Sequence, residues 1–197
     1  MEQTTATYTA ADLDYIESNF VPLEELCADR GLALDDVRSL ISEGALPRPA
    51  YVLDDGTEMV GPDYFALADA AGGIEQLRPY FEERYKSAAE AAELPATREA
   101  LDAVWADYLT GLYAVCLRDV TPENIARKDI LVLEIRGLLA EQMPEHGAWR
   151  ATLRRAVDEL DALEKPFAPD YDRRLPPTRV TLIEETRRRF PELFGAA

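Results

Sequence analysis

From residue 74 onward apolar residues recur every three or four positions and no run alternates, which commits more than half of the chain to amphipathic helices. Ile74, Leu77, Phe81 and Tyr85 form one stripe in "IEQLRPYFEERYKSAAEAAE", where Pro79 either kinks the helix or marks its start. Leu101, Val104, Trp105, Tyr108, Leu112 and Cys116 form the next. A third helix opens with Thr121 as N-cap and Pro122 at its first position, and Pro144 stops it. Its centre, "ILVLEIRGLL", is apolar around most of the cylinder, so this helix is expected to be the most buried. Trp149, Leu153, Val157 and Leu160 mark a fourth, ending at Pro166. An extended segment, "PFAPDYDRRLPPTRV", leads to a last helix, "TLIEETRRRF".

Residues before 74 read differently. Leu13, Ile16 and Phe20 sit at helical spacing with Tyr15 beside them. "VPLEELCADRG" then starts at Pro22 and stops at Gly31, and "DDVRSLISEG" turns Val37, Leu40 and Ile41 inward, so two short helices joined by a tight turn make a helix-turn-helix candidate. Proline at 47 and 49 keeps "ALPRPA" extended. In "YVLDDGTEMV", Asp55-Gly56 supplies a two-residue turn between strand formers, giving a β-hairpin. "GPDYFALADAAGG" adds a short helix and a Gly72-Gly73 hinge. The expected organisation is therefore mostly α: a winged-helix-like unit with one small hairpin over 1–72, a helical bundle over 73–165, and a Pro-rich segment with a final helix over 166–197 packing on the bundle.

Charge narrows the function. The 197 residues carry a net charge of -17, and residues 1–72 hold 15 acids against 3 bases. Affinity for nucleic acid comes largely from cations that displace counterions from phosphates, and the turns of the second helix that would enter a groove begin Asp35-Asp36 with Arg38 as their one cation. The hairpin tip, Asp54-Asp55-Gly56 with Glu58, is also acidic, so DNA binding is not expected. No apolar run is long enough to span a bilayer and "MEQTTATYTA" lacks a signal-peptide pattern, which gives a cytoplasmic expectation with no membrane partner. Cys27 and Cys116 are expected as reduced, structural thiols.

Residues 23–69, in their order of helix, turn, helix, Pro-containing link, hairpin and helix, resemble the winged N-terminal unit of MerR-type regulators and excisionases. A wider resemblance runs from "YIESNFVPLEELC" through "YVLDDGTEMVGPDYFALAD" to "PFAPDYDRRLPPTRVTLIEETRRRFPELF". It is to an uncharacterised family of small natural-product biosynthesis proteins, whose tail pattern Asp172, Arg173, Pro177, Arg179, Arg189, Phe190 and Pro191 would fill. This resemblance implies a pathway context and no reaction. Where the usual tail has Gly and Ser-Arg-Asp, this chain has Leu175-Pro176-Pro177-Thr178-Arg179.

Chemical motifs are sparse. "DDGTE" matches the acidic magnesium motif of terpene cyclases, but that chemistry needs carboxylates on one helix face and a hairpin turn cannot provide one. His146, the single histidine, lies in a Pro-Glu-His-Gly link and reads as an exposed loop residue, with no nucleophile elbow to serve. One histidine and two isolated cysteines do not make a zinc site, and no phosphate-binding glycine loop occurs, so neither metal nor cofactor is expected.

The aromatic residues of the bundle remain. They are expected to build its core, but tyrosine and tryptophan need partners for their polar atoms, and a bundle interior lined with them can hold a flat organic ligand. Trp105, Tyr108 and Tyr113 are the candidate lining. Glu134 is a candidate base because it interrupts "ILVLEIRGLL", where a carboxylate either reaches an arginine of a neighbouring helix or has a raised pKa. Arg179, beside a proline-ordered turn, is the favoured anion ligand of the basic group Arg173, Arg174, Arg179 and Arg187-Arg188-Arg189. The alternative is that these arginines pair with the chain's own acid. The leading reading is an accessory or tailoring protein of natural-product biosynthesis that binds a small organic ligand or a protein partner. The competing readings are a MerR-like regulator with a helical sensor or dimerisation domain, and a scaffold. A homodimer is compatible with all three.

Overall fold

A computed structural model describes residues 8–141, 143–166 and 177–195; the tail residues Asp172, Arg173, Arg174, Leu175 and Pro176 lie outside them. Helix α1 (Ala10–Asn19) begins with a capping box, in which the Asp12 amide donates to the Thr9 hydroxyl at 3.2 Å and the Thr9 amide donates to the Asp12 carboxylate at 2.9 Å. Strand β1 (Val21–Pro22) leads into α2 (Leu23–Asp29), and Gly31, at φ +66°, turns the chain into α3 (Leu34–Ser42). The hairpin forms as β2 (Tyr51–Val52) and β3 (Glu58–Val60), its turn closed by the Thr57 amide on the Asp55 carboxylate at 2.9 Å.

The sheet has a strand that the sequence does not announce. Its order is β1-β3-β2, all antiparallel, with Val60 opposite Val21 and Met59 between Pro22 and Tyr51. "VP" is too short to show any period. Pro22, lacking an N–H, sits on an edge strand where none is required.

The helical part follows as α4 (Ala66–Ala71), α5 (Ile74–Ala91), α6 (Arg98–Leu109), α7 (Leu112–Cys116), α8 (Pro122–Glu141) and α9 (Gly147–Leu163), then a π-helical turn (Arg179–Glu184), α10 (Glu185–Arg189) and α11 (Pro191–Phe194). Helix α5 runs through Pro79, which is exposed on its outer side. The stripe expected to be continuous from Leu101 to Cys116 is broken at Thr110-Gly111 into α6 and α7. Gly111 adopts φ +80°, and a Cβ placed on it would lie 2.4 Å from the carbonyl oxygen of Arg48. The break thus lets the 47–50 link lie directly on the α6–α7 turn, where the Arg48 amide donates to the Leu109 carbonyl at 2.9 Å. The last helix starts two residues early as the π-turn, a geometry that is rare in proteins.

Helix α8 is the axis of the molecule, packing on α5 along one side and α9 along another. Its first half supplies Ile125 and Ala126 to a cluster that joins Leu23, Cys27, Val37 and Val60 to Leu77, Phe81, Trp105 and Tyr108. Its second half supplies Leu131 and Ile135 to a cluster with Trp149, Leu153, Leu160, Ile183 and Phe190. Each of these large aliphatic side chains contributes about 1.5–3 kcal/mol by leaving water. The helix is nevertheless not apolar-buried all round, since Leu133 is 55% exposed. A third cluster packs Ile16 and Phe20 against Tyr51, Met59 and Val115. Among the described residues no helix is long and apolar enough to cross a membrane.

Two glycine substitutions separate backbone need from helix propensity. Gly111→Ala places a methyl group against fixed backbone at positive φ and is expected to destabilise by about 2–3 kcal/mol. Gly137→Ala, in α8 with nothing within 4 Å of the new carbon, is expected to stabilise by about 0.5–1 kcal/mol. Urea unfolding of both variants measures the difference.

Candidate functional site

The proline-ordered link, the β3–α4 turn and the α6–α7 turn enclose a half-open cleft of about 460 Å³, its mouth included. It has room for about three waters. Tyr64, Tyr108 and Tyr113 line it from three different segments. The Tyr64 hydroxyl is committed, donating to the Pro47 carbonyl at 2.6 Å. Those of Tyr108 and Tyr113 hydrogen-bond to no other described residue, although Tyr108 is only 4% exposed. Burial pushes both phenols up, and carboxylates add to it: Asp63 for Tyr108, Asp129 and Asp107 for Tyr113. Both are therefore neutral O–H donors at any physiological pH.

Of the five candidates read from the sequence, three come together. Tyr108 and Tyr113 are in the cleft wall, and Trp105 stands behind Tyr108 with ring centroids 5.2 Å apart, also packed on Phe81 at 5.4 Å. Glu134 is elsewhere, on α8, in an ion pair with Arg155 of the adjacent α9. Arg179 is elsewhere too. Its guanidinium donates to the Lys165 carbonyl at 2.6 Å and pairs with Asp161 at 2.8 Å, so it closes the C-terminal end of α9, where a cation is favoured. Arg187 pairs with Asp158 at 3.0 Å and Asp161 at 2.9 Å. Arg189 lies over the Phe190 ring at 5.0 Å, and Arg173 and Arg174 fall outside the described residues. His146 is exposed at the start of α9.

Sequence reasoning missed the polar groups around α7. Lys128, on α8, is buried with its ammonium 2.9 Å from the Glu164 carboxylate and 3.0 Å from the Cys116 sulfur, and Thr178 donates to the same carboxylate. Desolvation alone works against the charged lysine, but Cys116 and Glu164 together carry its pKa above the ordinary value. Lys165 donates to the carbonyls of Ala114 at 2.5 Å and Leu117 at 2.7 Å, capping α7, and burial holds its pKa below the ordinary value against the pull of Asp63. Lys128, in α8, and Glu164, just past the end of α9, are 36 residues apart in the chain, so no local spacing could have paired them. Arg48 and Asp63 were overlooked because loop residues carry no period.

The helix-turn-helix is electrostatically occupied. Arg30 pairs with Asp69 at 2.7 Å, and Arg38 pairs with Glu58 on the hairpin at 2.8 Å. Of the three cations in residues 1–72, Arg48 alone has no carboxylate within 4 Å among the described residues. Asp35 and Asp36 occupy the first turn of α3.

Residues 77–191 match the family of unknown function DUF6058, and since that is more than half of the chain, the chain belongs to this family. The match takes in α5 through α10, hence the Tyr108 and Tyr113 wall of the cleft, and leaves out the helix-turn-helix, the hairpin and the 47–67 wall. No curated protein and no solved structure matches the chain.

Asp129 provides a pH test of the interior behind Tyr113. Burial raises its carboxyl pKa, and a 2.8 Å hydrogen bond from Tyr85 opposes part of the rise. The folded state thus holds this proton more tightly than the unfolded state, and stability from this group is greatest below the ordinary aspartate range and falls as pH rises through the folded pKa. Asp129→Asn keeps an acceptor for Tyr85 and removes the ionisation. Its stability relative to the parent, followed by urea unfolding from pH 3.5 to 7.5, is expected to increase with pH.

Proposed function

We propose that this member of the family binds a small organic ligand in the cleft between the 47–50 link and the α6–α7 turn, and acts as an accessory or tailoring protein of natural-product biosynthesis. The observation that carries the reading is the pair of tyrosines, Tyr108 and Tyr113, that line a cleft and whose hydroxyls have no partner among the described residues. A buried tyrosine needs a partner for its O–H, and among the described residues none supplies it, which leaves a place for water or a ligand. The apolar remainder of the wall, including Leu67, Ala114 and Val120, favours a ligand with a small hydrocarbon portion. The pathway assignment draws on the tail resemblance, of which Pro177, Arg179, Arg189, Phe190 and Pro191 are described. Arg179 supports it only as a structural residue.

The order helix-turn-helix then hairpin favours a regulator as the second reading, and charge opposes it. With Arg30 and Arg38 paired to carboxylates and Asp35-Asp36 leading α3, the described part of residues 1–72 offers phosphates one uncommitted cation, Arg48. Fluorescence anisotropy with mixed duplex at low salt is expected to give no binding in the micromolar range, and binding there would restore the regulator.

A blocking variant tests the cleft. Ala114→Leu adds three carbons to a half-buried wall position and is expected to fill the inner space with a fall in Tm of no more than about 5 °C. In a thermal-shift screen of small amines, acids and alcohols, compounds that stabilise the parent should lose their effect on this variant. Equal stabilisation of both proteins would place the site elsewhere and sink the reading.

A further inference from the structure

We propose that the cleft takes an amphoteric ligand, an α-amino acid with a short branched apolar side chain, bound through its carboxylate by Arg48 and its ammonium by Asp63. This rests on the cleft being a ligand site and goes further by naming the class. Both residues line the cleft, on different walls: Arg48 in the proline-ordered link, Asp63 in the turn between β3 and α4. Neither makes a salt bridge among the described residues; Arg118, Arg136, Arg188 and Arg189 are likewise without a carboxylate partner there, but none of them lines the cleft, and Asp63 acts on Lys165 only through its field. Opposite charges that share a cleft without pairing leave one site for an anion and one for a cation.

Their backbones are fixed in advance. The Arg48 amide donates to Leu109 at 2.9 Å and its carbonyl lies against Gly111. The Asp63 carbonyl accepts from the Ala66 amide at 2.8 Å, and the Tyr64 amide next to it donates to Gly61 at 3.0 Å. Ordering the two charges therefore takes little more than side-chain entropy. The Tyr108 and Tyr113 hydroxyls can donate to a carboxylate, and each can accept from an ammonium. Displacing about three waters from the inner space suits a side chain of about three or four carbons, against Leu67, Ala114 and Val120.

The test titrates the full chain by calorimetry with four probes that share one hydrocarbon portion: L-leucine, isopentylamine, 4-methylpentanoate and isopentanol. Leucine is expected to bind about tenfold tighter than the amine or the acid. Arg48→Gln should erase its advantage over isopentylamine, and Asp63→Asn its advantage over 4-methylpentanoate. Both residues are exposed, so neither change should threaten folding. Equal binding of all four probes, or leucine binding that neither variant weakens, overturns the amino-acid assignment and leaves the cleft as a ligand site. Absence of binding by all four overturns the assignment, and the cleft reading falls with it if Ala114→Leu also leaves the stabilising compounds of the thermal-shift screen unaffected.

Discussion

The contact of the Arg48 carbonyl with Gly111 sets the relation between the two ends of the molecule. A residue with a side chain at 111 would meet that oxygen at 2.4 Å. Because glycine stands there, the helical stripe from Leu101 to Cys116 ends and restarts, α7 leaves the direction of α6, and the extended link settles into the gap with the Arg48 amide on Leu109. The helix-turn-helix is thereby held against the bundle, and its core residues Leu23, Val37 and Val60 share one apolar cluster with Phe81, Trp105 and Tyr108. The cleft is the residue of that docking. It lies where the link, the β3–α4 turn and the α6–α7 turn meet without filling the space between them.

A second constraint closes the far side of α7. Its five residues are too few to be stable alone. The end of α7 is instead tied by a bridge between Leu117 and Glu164 and by Lys165 on the Ala114 and Leu117 carbonyls. Glu164 continues the frame to Lys128 and Thr178, and Arg179 completes it on Lys165 and Asp161. A buried ion pair of this kind adds little net stability over an apolar replacement, but breaking one partner leaves a charge stranded at about 3–5 kcal/mol. Its value here is geometrical. It fixes where α7, α9 and the π-turn meet.

Much of this could be read from the chain and some could not, for identifiable reasons. The bundle follows from the 3.6-residue period, the hairpin from Asp55-Gly56, and the gathering of Trp105 with Tyr108 from their adjacency on one helical stripe. Glu134 meets an arginine of the neighbouring helix, one of the two outcomes that its place in an apolar run allows. The break at Gly111 was hidden because its cause, the Arg48 carbonyl, is more than 60 residues away in sequence. Strand β1 was hidden because two residues show no alternation. Arg179 has the chemistry of an anion clamp in any sequence, and only tertiary structure reveals that α9 carbonyls and Asp161 already occupy it. Arg48 and Asp63 stand in loops, where residue identity says little until the chain around them is folded.

Electrostatics then distinguishes the two ends of the protein more sharply than composition does. A net charge of -17 disfavours long-range attraction of polyanions. It does not repel a zwitterion, whose net charge is zero and whose orientation responds to the local field alone. In the C-terminal half several arginines hold helices together: Arg155 on Glu134 and Glu159, Arg187 on Asp158 and Asp161, Arg127 on Glu159. In residues 1–72 Arg30 and Arg38 are consumed likewise, which leaves Arg48 on one wall of the cleft and Asp63 on another, with Tyr108 and Tyr113 lining it and their hydroxyls unpartnered among the described residues. Arg48 shares its lack of a carboxylate partner with Arg118, Arg136, Arg188 and Arg189 among the described residues; what sets it apart is its place on the cleft together with Asp63, on a backbone held by Leu109 on one side and Gly111 on the other.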